Sequence, residues 1–355
     1  MILRSDIYSR RGTAIIKGLA ILCMLYLHLF GLFSLEPDVA QAAMCDAHFA
    51  QWAANATKGK VCISLFAFVT GFGYCIISQR DTRGIVSAAV SRLRRFYPFY
   101  AAFVLAFAPL SFIAPWPMTD TPIIPEHIPN YLLTIIGVEC ALADFWYIAV
   151  VLVGALVFYP ILLAAKRRGS LFYATAFIGL CIVSLPNFTL NCIYHLSAHL
   201  GYNPYDTTCA SVDIPLIKAM AWMRYMLVGW ALAALSREAR KTAVCLVLSA
   251  AGLLAVSMMY STENDLIFLG FLAVACALQY LPESWMRPMV LLGNYSACMW
   301  LNHRLIFGYW FADWFYSLPT PLNFILLVAL SFVASVIITK AWEAIISRLH
   351  RSKAA

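Results

Sequence analysis

The stretch "TAIIKGLAILCMLYLHLFGLFSL", Thr13 to Leu35, decides the fold. Apart from Lys17 and His28 it is apolar, and it is long enough to cross a bilayer. A charged side chain in hydrocarbon costs about 2.5 to 3.5 kcal/mol on insertion scales, so ionisable groups there normally face a protein interior or a water-filled path. Lys17 and His28 stand eleven residues apart. Eleven helical residues turn through about 1100°, close to three full turns, and rise about 16.5 Å. The two side chains therefore share one helix face at two depths, as a polar tunnel running inward from the cytoplasmic surface requires.

The composition makes the membrane the solvent. Of 355 residues 63% are hydrophobic and only 12% charged, against about 25% charged in soluble domains. Mean hydropathy is +0.79. The formal net charge of +8 raises the question of nucleic acid. The basic residues, however, fall in short clusters between apolar runs and form no stripe or arm, so they read as topology signals and no nucleic-acid partner is expected.

The fold expected is all-α, a polytopic integral membrane protein with about ten spans. These lie near residues 13–35, 61–79, 96–114, 145–165, 171–186, 214–235, 242–260, 264–282, 289–309 and 321–346. Tyr131 to Ala143 is too short to cross and reads as an interfacial or re-entrant helix. Basic residues mark alternate connections: Arg4, Arg10 and Arg11; Arg80, Arg83, Arg92, Arg94 and Arg95; Lys166, Arg167 and Arg168; Arg237, Arg240 and Lys241; Arg287; Arg348, Arg351 and Lys353. The intervening connections carry acids such as Asp46, Asp120, Asp206, Asp213 and Asp313, with only Lys58 and Lys60 opposing them. By the positive-inside rule both termini are cytoplasmic. "AQA" at Ala40 to Ala42 resembles a signal-peptide cleavage site. The preceding apolar run exceeds a typical h-region of about 7 to 15 residues, so the first span is read as retained. Residues 1–355 are expected to form a single membrane-embedded domain.

Eleven cysteines divide by place. Cys23, Cys62, Cys75, Cys181, Cys245, Cys276 and Cys298 fall in apolar spans and read as small hydrophobes. Cys45, Cys140, Cys192 and Cys209 fall in or near outward loops. An oxidising outer face would allow Cys192 to staple to Cys209, but the spacing does not establish the pairing, and no Cys-x-x-Cys metal motif occurs.

Five segments resemble one family. "IIKGLAILCMLYLHLF" is similar to the first helix of the acyltransferase-3 family of integral membrane acyltransferases, whose hallmark is Arg or Lys, ten residues, then His. "SLFAFVTGFGY", Ser64 to Tyr74, resembles its aromatic Ser-Gly second helix, with Thr70 where Ser is commoner. "RLRRFYPFY" resembles its Arg-x-x-Arg followed by an aromatic and Pro, through Arg92, Arg95, Tyr97 and Pro98. "FWYI" at Phe145 to Ile148 and "GNYSACMWLNH" at Gly293 to His303 resemble its later Trp-Tyr and Gly-x-x-Ser…His segments. The matches run in order along nearly the whole chain.

The resemblance implies transfer of an acyl group, usually acetyl from acetyl-CoA as co-substrate, to a hydroxyl of a surface glycan or lipid-linked sugar precursor at a bacterial inner membrane. The residues suit that chemistry. An alcohol attacks a thioester poorly at neutral pH unless a base removes its proton, and an imidazole titrates in the right range, so His28 is the candidate general base. A covalent acyl-histidine is the variant. Coenzyme A is rich in phosphate, and Lys17, Arg92 and Arg95 are the candidates to hold it by charge-assisted hydrogen bonds. Arg94, Arg80 and Arg83 read as positive-inside anchors.

Thr70, Asp144, Trp146, Tyr147, Arg224 and His303 are the candidate substrate-binding residues. Arg224 or Thr70 would stabilise an oxyanion, and Asp144, Trp146 and Tyr147 would stack an acceptor sugar at the outer face. Each has a plainer reading: snorkelling or ion pairing for the cations, an interfacial belt for the aromatics. The sequons Asn55-Ala56-Thr57 and Asn187-Phe188-Thr189 lie in outward loops and matter only in a glycosylating host. No metal is expected, membrane lipids surround the bundle, and oligomeric state is left open. The competing reading is a transporter or channel for a small anionic solute built on the same intramembrane cations. Such folds often show two related halves, and no duplication is visible here. A non-catalytic scaffold would leave the aligned Lys17 and His28 without a purpose.

Overall fold

In a computed structural model, which describes residues 10–31, 43, 46–94, 96–107, 132, 134–136, 147–185, 219–235 and 264–352, the regular elements among the described residues are all helical. They are α1 (Arg10–Phe30), α2 (Ala47–Ala53), α3 (Val61–Ser78), α4 (Ile85–Leu93), α5 (Tyr97–Phe107), α6 (Tyr147–Val153), α7 (Tyr159–Arg168) and α8 (Ser170–Val183). After these come α9 (Met223–Ala234), α10 (Asn264–Leu278), α11 (Glu283–Arg304), α12 (Ala312–Ser317) and α13 (Leu322–Ser352).

Four helical stretches among the described residues are long and apolar enough to cross a membrane: Arg10–Phe30, Ala56–Ser78, Tyr147–Arg168 and Leu322–Arg348. They occupy the first, second, fourth and tenth expected spans. At the other expected spans the described helices are shorter or more polar. The 14 residues of α8 rise about 21 Å, short of a hydrocarbon core of about 30 Å. α11 has the length but carries Glu283, Arg287, Asn294, Asn302, His303 and Arg304. The seventh expected span, the Cys192 and Cys209 pair, the second sequon and most of Tyr131 to Ala143 lie outside the described residues. Cys23, Cys62, Cys75, Cys276 and Cys298 are buried free thiols, whereas Cys181 is exposed.

Packing divides the chain into two compact units. The first comprises residues 1–66, 113–122 and 236–355; the second comprises 67–112 and 123–235. The boundary falls within α3.

In the first unit α1 packs chiefly on α11, and both pack on α13. Glycine makes the α1 and α11 contact possible. A Cβ on Gly18 would overlap the backbone of Met289, and one on Gly293 would overlap the Ala14 carbonyl. Small residues of this kind let membrane helices approach closely. The two helices run parallel: the Arg11 guanidinium donates to the Leu281 carbonyl at 3.4 Å at one end, and His28 meets His303 toward the other. On the α13 side, the Asn302 amide donates to the Ser331 carbonyl at 3.2 Å and to Ser335 Oγ at 2.8 Å. The opposite face of α13 exposes Ile325, Val333, Ile337 and Ile345, a surface suited to hydrocarbon. At the end of α1, the rings of Tyr26, Phe30, Trp52 and Phe324 cluster with centroids 5.1 to 6.2 Å apart.

In the second unit α8 packs on α7 and on α9, and Trp230 Nε1 donates to the Tyr173 hydroxyl at 2.6 Å. Gly169, with φ of 116°, turns the chain between α7 and α8. α6 and α7 are joined by a π-helical turn, Gly154–Phe158. Pro160 has no N–H to close an ordinary α turn, and the widened turn accommodates it. The second and fourth connections meet: Arg167 Nη2 donates to the carbonyls of Asp81 at 2.8 Å and Arg83 at 2.7 Å. Two connections expected on the same side of the membrane are thus in contact.

Candidate functional site

Helix α1 buries most of its side chains, and on one face the half-buried positions are Thr13, Lys17 and His28, within about 60° of one another around the axis. Lys17 and His28 therefore do share a face. Opposite His28 stands His303 on α11, completely buried. His28 Nδ1 and His303 Nε2 are 2.6 Å apart. The ring centres are 4.9 Å apart and the planes 19° apart. That separation is the nitrogen contact lengthened by one ring radius at each end. Both nitrogens therefore lie on the line joining the centres, and the rings meet edge to edge in a straight hydrogen bond rather than face to face.

The far nitrogen of His303 is also engaged, with Nδ1 2.7 Å from the carbonyl oxygen of Trp300 one turn back. Immediately beyond, α11 widens into a π-helical turn, Leu305–Trp310, a local irregularity often found at functional sites. Arg304, also buried, lies 5.6 Å over the Phe307 ring. Tyr316 on α12 donates its hydroxyl to the Leu29 carbonyl at 3.2 Å, fixing the backbone beside His28. Among the described residues no group of three or more His, Cys, Asp or Glu side chains gathers as metal ligands would.

The second unit holds a different kind of site. Asp81 receives Arg83 Nε at 2.8 Å and Nη2 at 2.7 Å, and the Tyr159 hydroxyl at 2.7 Å. The Asp81 side chain is 1% exposed and that of Arg83 43%, so the carboxylate is covered while its partner reaches solvent. The Arg83 hydrogen bond, then that from Tyr159, hold the Asp81 carboxyl well below the usual carboxylate range in spite of its burial. Arg92 lies over the other part of the same tyrosine, its guanidinium carbon 5.6 Å from the ring centre. Its Nε and Nη2 donate to Ser91 Oγ at 3.2 and 2.9 Å. A cation resting on an aromatic face with a neutral neighbour keeps its charge available to an anion.

The remaining candidates are dispersed. Thr70 and Tyr147 are half-buried in the second unit. Arg224 folds back on its own helix, donating to the Ala221 carbonyl at 2.8 Å and to the Tyr225 hydroxyl at 3.0 Å, with its charge 4.6 Å over the Tyr225 ring. Arg95, Asp144 and Trp146 lie outside the described residues.

Sequence reasoning missed the Trp300 carbonyl and the Asp81, Arg83, Tyr159 and Arg167 network. The signal for the second was present, since Asp81 is the one acid in a connection otherwise rich in arginine. No curated protein and no solved structure matches the chain. The family model described as an acyltransferase domain, that of the acyltransferase-3 family, matches residues 14–340, so the chain, with helices apolar and long enough to cross a membrane, belongs to that family of membrane acyltransferases.

Proposed function

We propose that this acyltransferase moves an acyl group, acetyl in the simplest case, from cytoplasmic acyl-CoA to a hydroxyl of a cell-surface glycan or lipid-linked sugar precursor. It would do so as one domain with about ten spans in a bacterial inner membrane, both termini cytoplasmic. The observation that carries the reading is the hydrogen-bond contact between His28 and His303, which continues to the Trp300 carbonyl. An imidazole held in line by a second one has the orientation a general base needs. Lys17, Arg92 and Arg95 hold the phosphates of the donor. Thr70, Asp144, Trp146, Tyr147, Arg224 and His303 remain the candidates around the acceptor and the developing oxyanion.

The test is consumption of labelled acetyl-CoA by purified protein in lipid nanodiscs, with and without a carbohydrate acceptor. Acceptor-dependent release of free coenzyme A is expected. Protein in proteoliposomes that moves an anionic solute and leaves the thioester intact would replace this reading with the transporter. Orientation is tested separately in a cysteine-free chain. A cysteine at exposed Asn55 should react with an impermeant outside reagent, and one at exposed Ser170 should not. Labelling at Ser170 would overturn the ten-span arrangement.

A further inference from the structure

We propose that His303 is a positioning residue that fixes the tautomer of His28, leaving Nε2 of His28 as the nitrogen that takes the acceptor's proton; this rests on the reading of His28 as base. A carbonyl oxygen can only accept, so His303 Nδ1 carries a hydrogen and donates it to Trp300. With both rings neutral, His303 Nε2 then bears a lone pair. The 2.6 Å contact to His28 Nδ1 is therefore a hydrogen bond in which His28 donates. The proton of His28 is thus on Nδ1, and its lone pair is on Nε2. The same logic, one partner setting which ring nitrogen is basic, governs histidine wherever it acts as a base.

The reaction balances on this arrangement. The acceptor O–H breaks, its proton goes to His28 Nε2, and its electron pair forms the new O–C bond at the thioester carbonyl. The C–S bond then breaks, and the departing thiolate takes that proton back from Nε2. While Nε2 is protonated, the positive ring remains hydrogen-bonded through Nδ1 to His303, whose own N–H stays on Trp300. His303 neither gains nor loses a proton, and the parallel, in-line placement of the rings holds the His28 ring plane through both steps.

Two substitutions and one spectrum test the assignment. In His303→Phe the aromatic volume stays but the acceptor for Nδ1–H is lost, and kcat should fall about 10²-fold, the low end of the general acid-base range. The donor KM should stay close to that of the parent. His303→Gln carries a carbonyl oxygen near the position of Nε2 and should recover most of that loss. In protein labelled with 15N-histidine, the His28 resonances should report a protonated Nδ1 and a bare Nε2. A parent spectrum with the proton on Nε2 overturns the proposal whether or not any variant folds. So does a His303→Phe enzyme with parental kcat in a protein that His28→Ala inactivates. If His28→Ala is itself active, what fails is the assignment of the base.

Discussion

Each unit holds a helix pair closed by reciprocal glycines, and the two pairs do different things. In the first, Gly18 abuts the backbone of Met289 and Gly293 abuts that of Ala14; in the second, Gly71 abuts Met226 and Gly229 abuts Phe68. Close approach is therefore a packing device with no chemistry of its own. The difference lies in the groups nearby. α1 and α11 bring together two imidazoles, which can share a proton without creating a permanent charge. The second unit ends instead in a carboxylate gripped by an arginine and a tyrosine, with Arg92 stacked on that tyrosine. One arrangement is suited to moving a proton, the other to holding charges still.

The widest separation between the two should come from His28→Ala. Transfer of the acyl group should fall by about 10² to 10⁴-fold, the range for a lost acid-base catalyst, while membrane insertion persists because the span becomes more apolar. Turnover of labelled acetyl-CoA measures it. A correctly inserted variant acylating at the parental rate would leave the histidine pair as packing alone.

Next in size are the glycines. Gly293→Leu and Gly229→Leu should each destabilise by about 1 to 3 kcal/mol, the usual cost of overpacking, or more because the obstacle is backbone. Gly73→Leu, with nothing within 4 Å of its Cβ, is the control. Unfolding midpoints in detergent would show it, and a Gly293→Leu protein as stable as Gly73→Leu would mean the α1 and α11 contact is looser than described.

A smaller effect separates two arginines of one connection. Arg92→Ala should raise the donor KM about tenfold, as loss of one hydrogen bond to a charged group does. Arg83→Ala should leave it within about twofold, since the Arg83 charge is already engaged by Asp81. Equal effects in the two variants would show that the whole connection, rather than Arg92, senses the donor.

The smallest effect expected is one of pH. The Asp81 carboxyl is depressed in the folded protein, chiefly by the Arg83 hydrogen bond. Its contribution to stability is therefore complete above the ordinary carboxylate value of about 3.9 and is lost only as pH falls through the lowered one. The difference in unfolding midpoint between parent and Asp81→Asn should accordingly be constant from about pH 5 to 8 and shrink only in strong acid. A difference that changes within that window would place the carboxyl in the ordinary range.

Helical periodicity made the face shared by Lys17 and His28 legible, because eleven residues nearly complete three turns whatever surrounds them. The partner of His28 was not legible. His303 lies 275 residues away, and its role as hydrogen-bond acceptor depends on a backbone carbonyl that carries no side-chain signature. Alternating charge put the second and fourth connections on one expected side of the membrane but gave no sign that they touch, and it cast Arg83 as a bare anchor, since charge counting cannot show which carboxylate a guanidinium will grip. Hydropathy likewise read residues 289–309 as a span without showing that the polar residues of α11, Asn302 and His303 among them, serve contacts with α13 and α1.

A membrane that stores energy as a proton gradient penalises any continuous path along which protons can hop. His303, in hydrogen-bond contact with His28, rests its other nitrogen on the Trp300 carbonyl, an oxygen with no hydrogen of its own to hand onward. A carbonyl accepts a hydrogen bond and so holds the donor ring in place. In an energised membrane, a histidine pair anchored on a backbone carbonyl would keep its proton in place rather than pass it along.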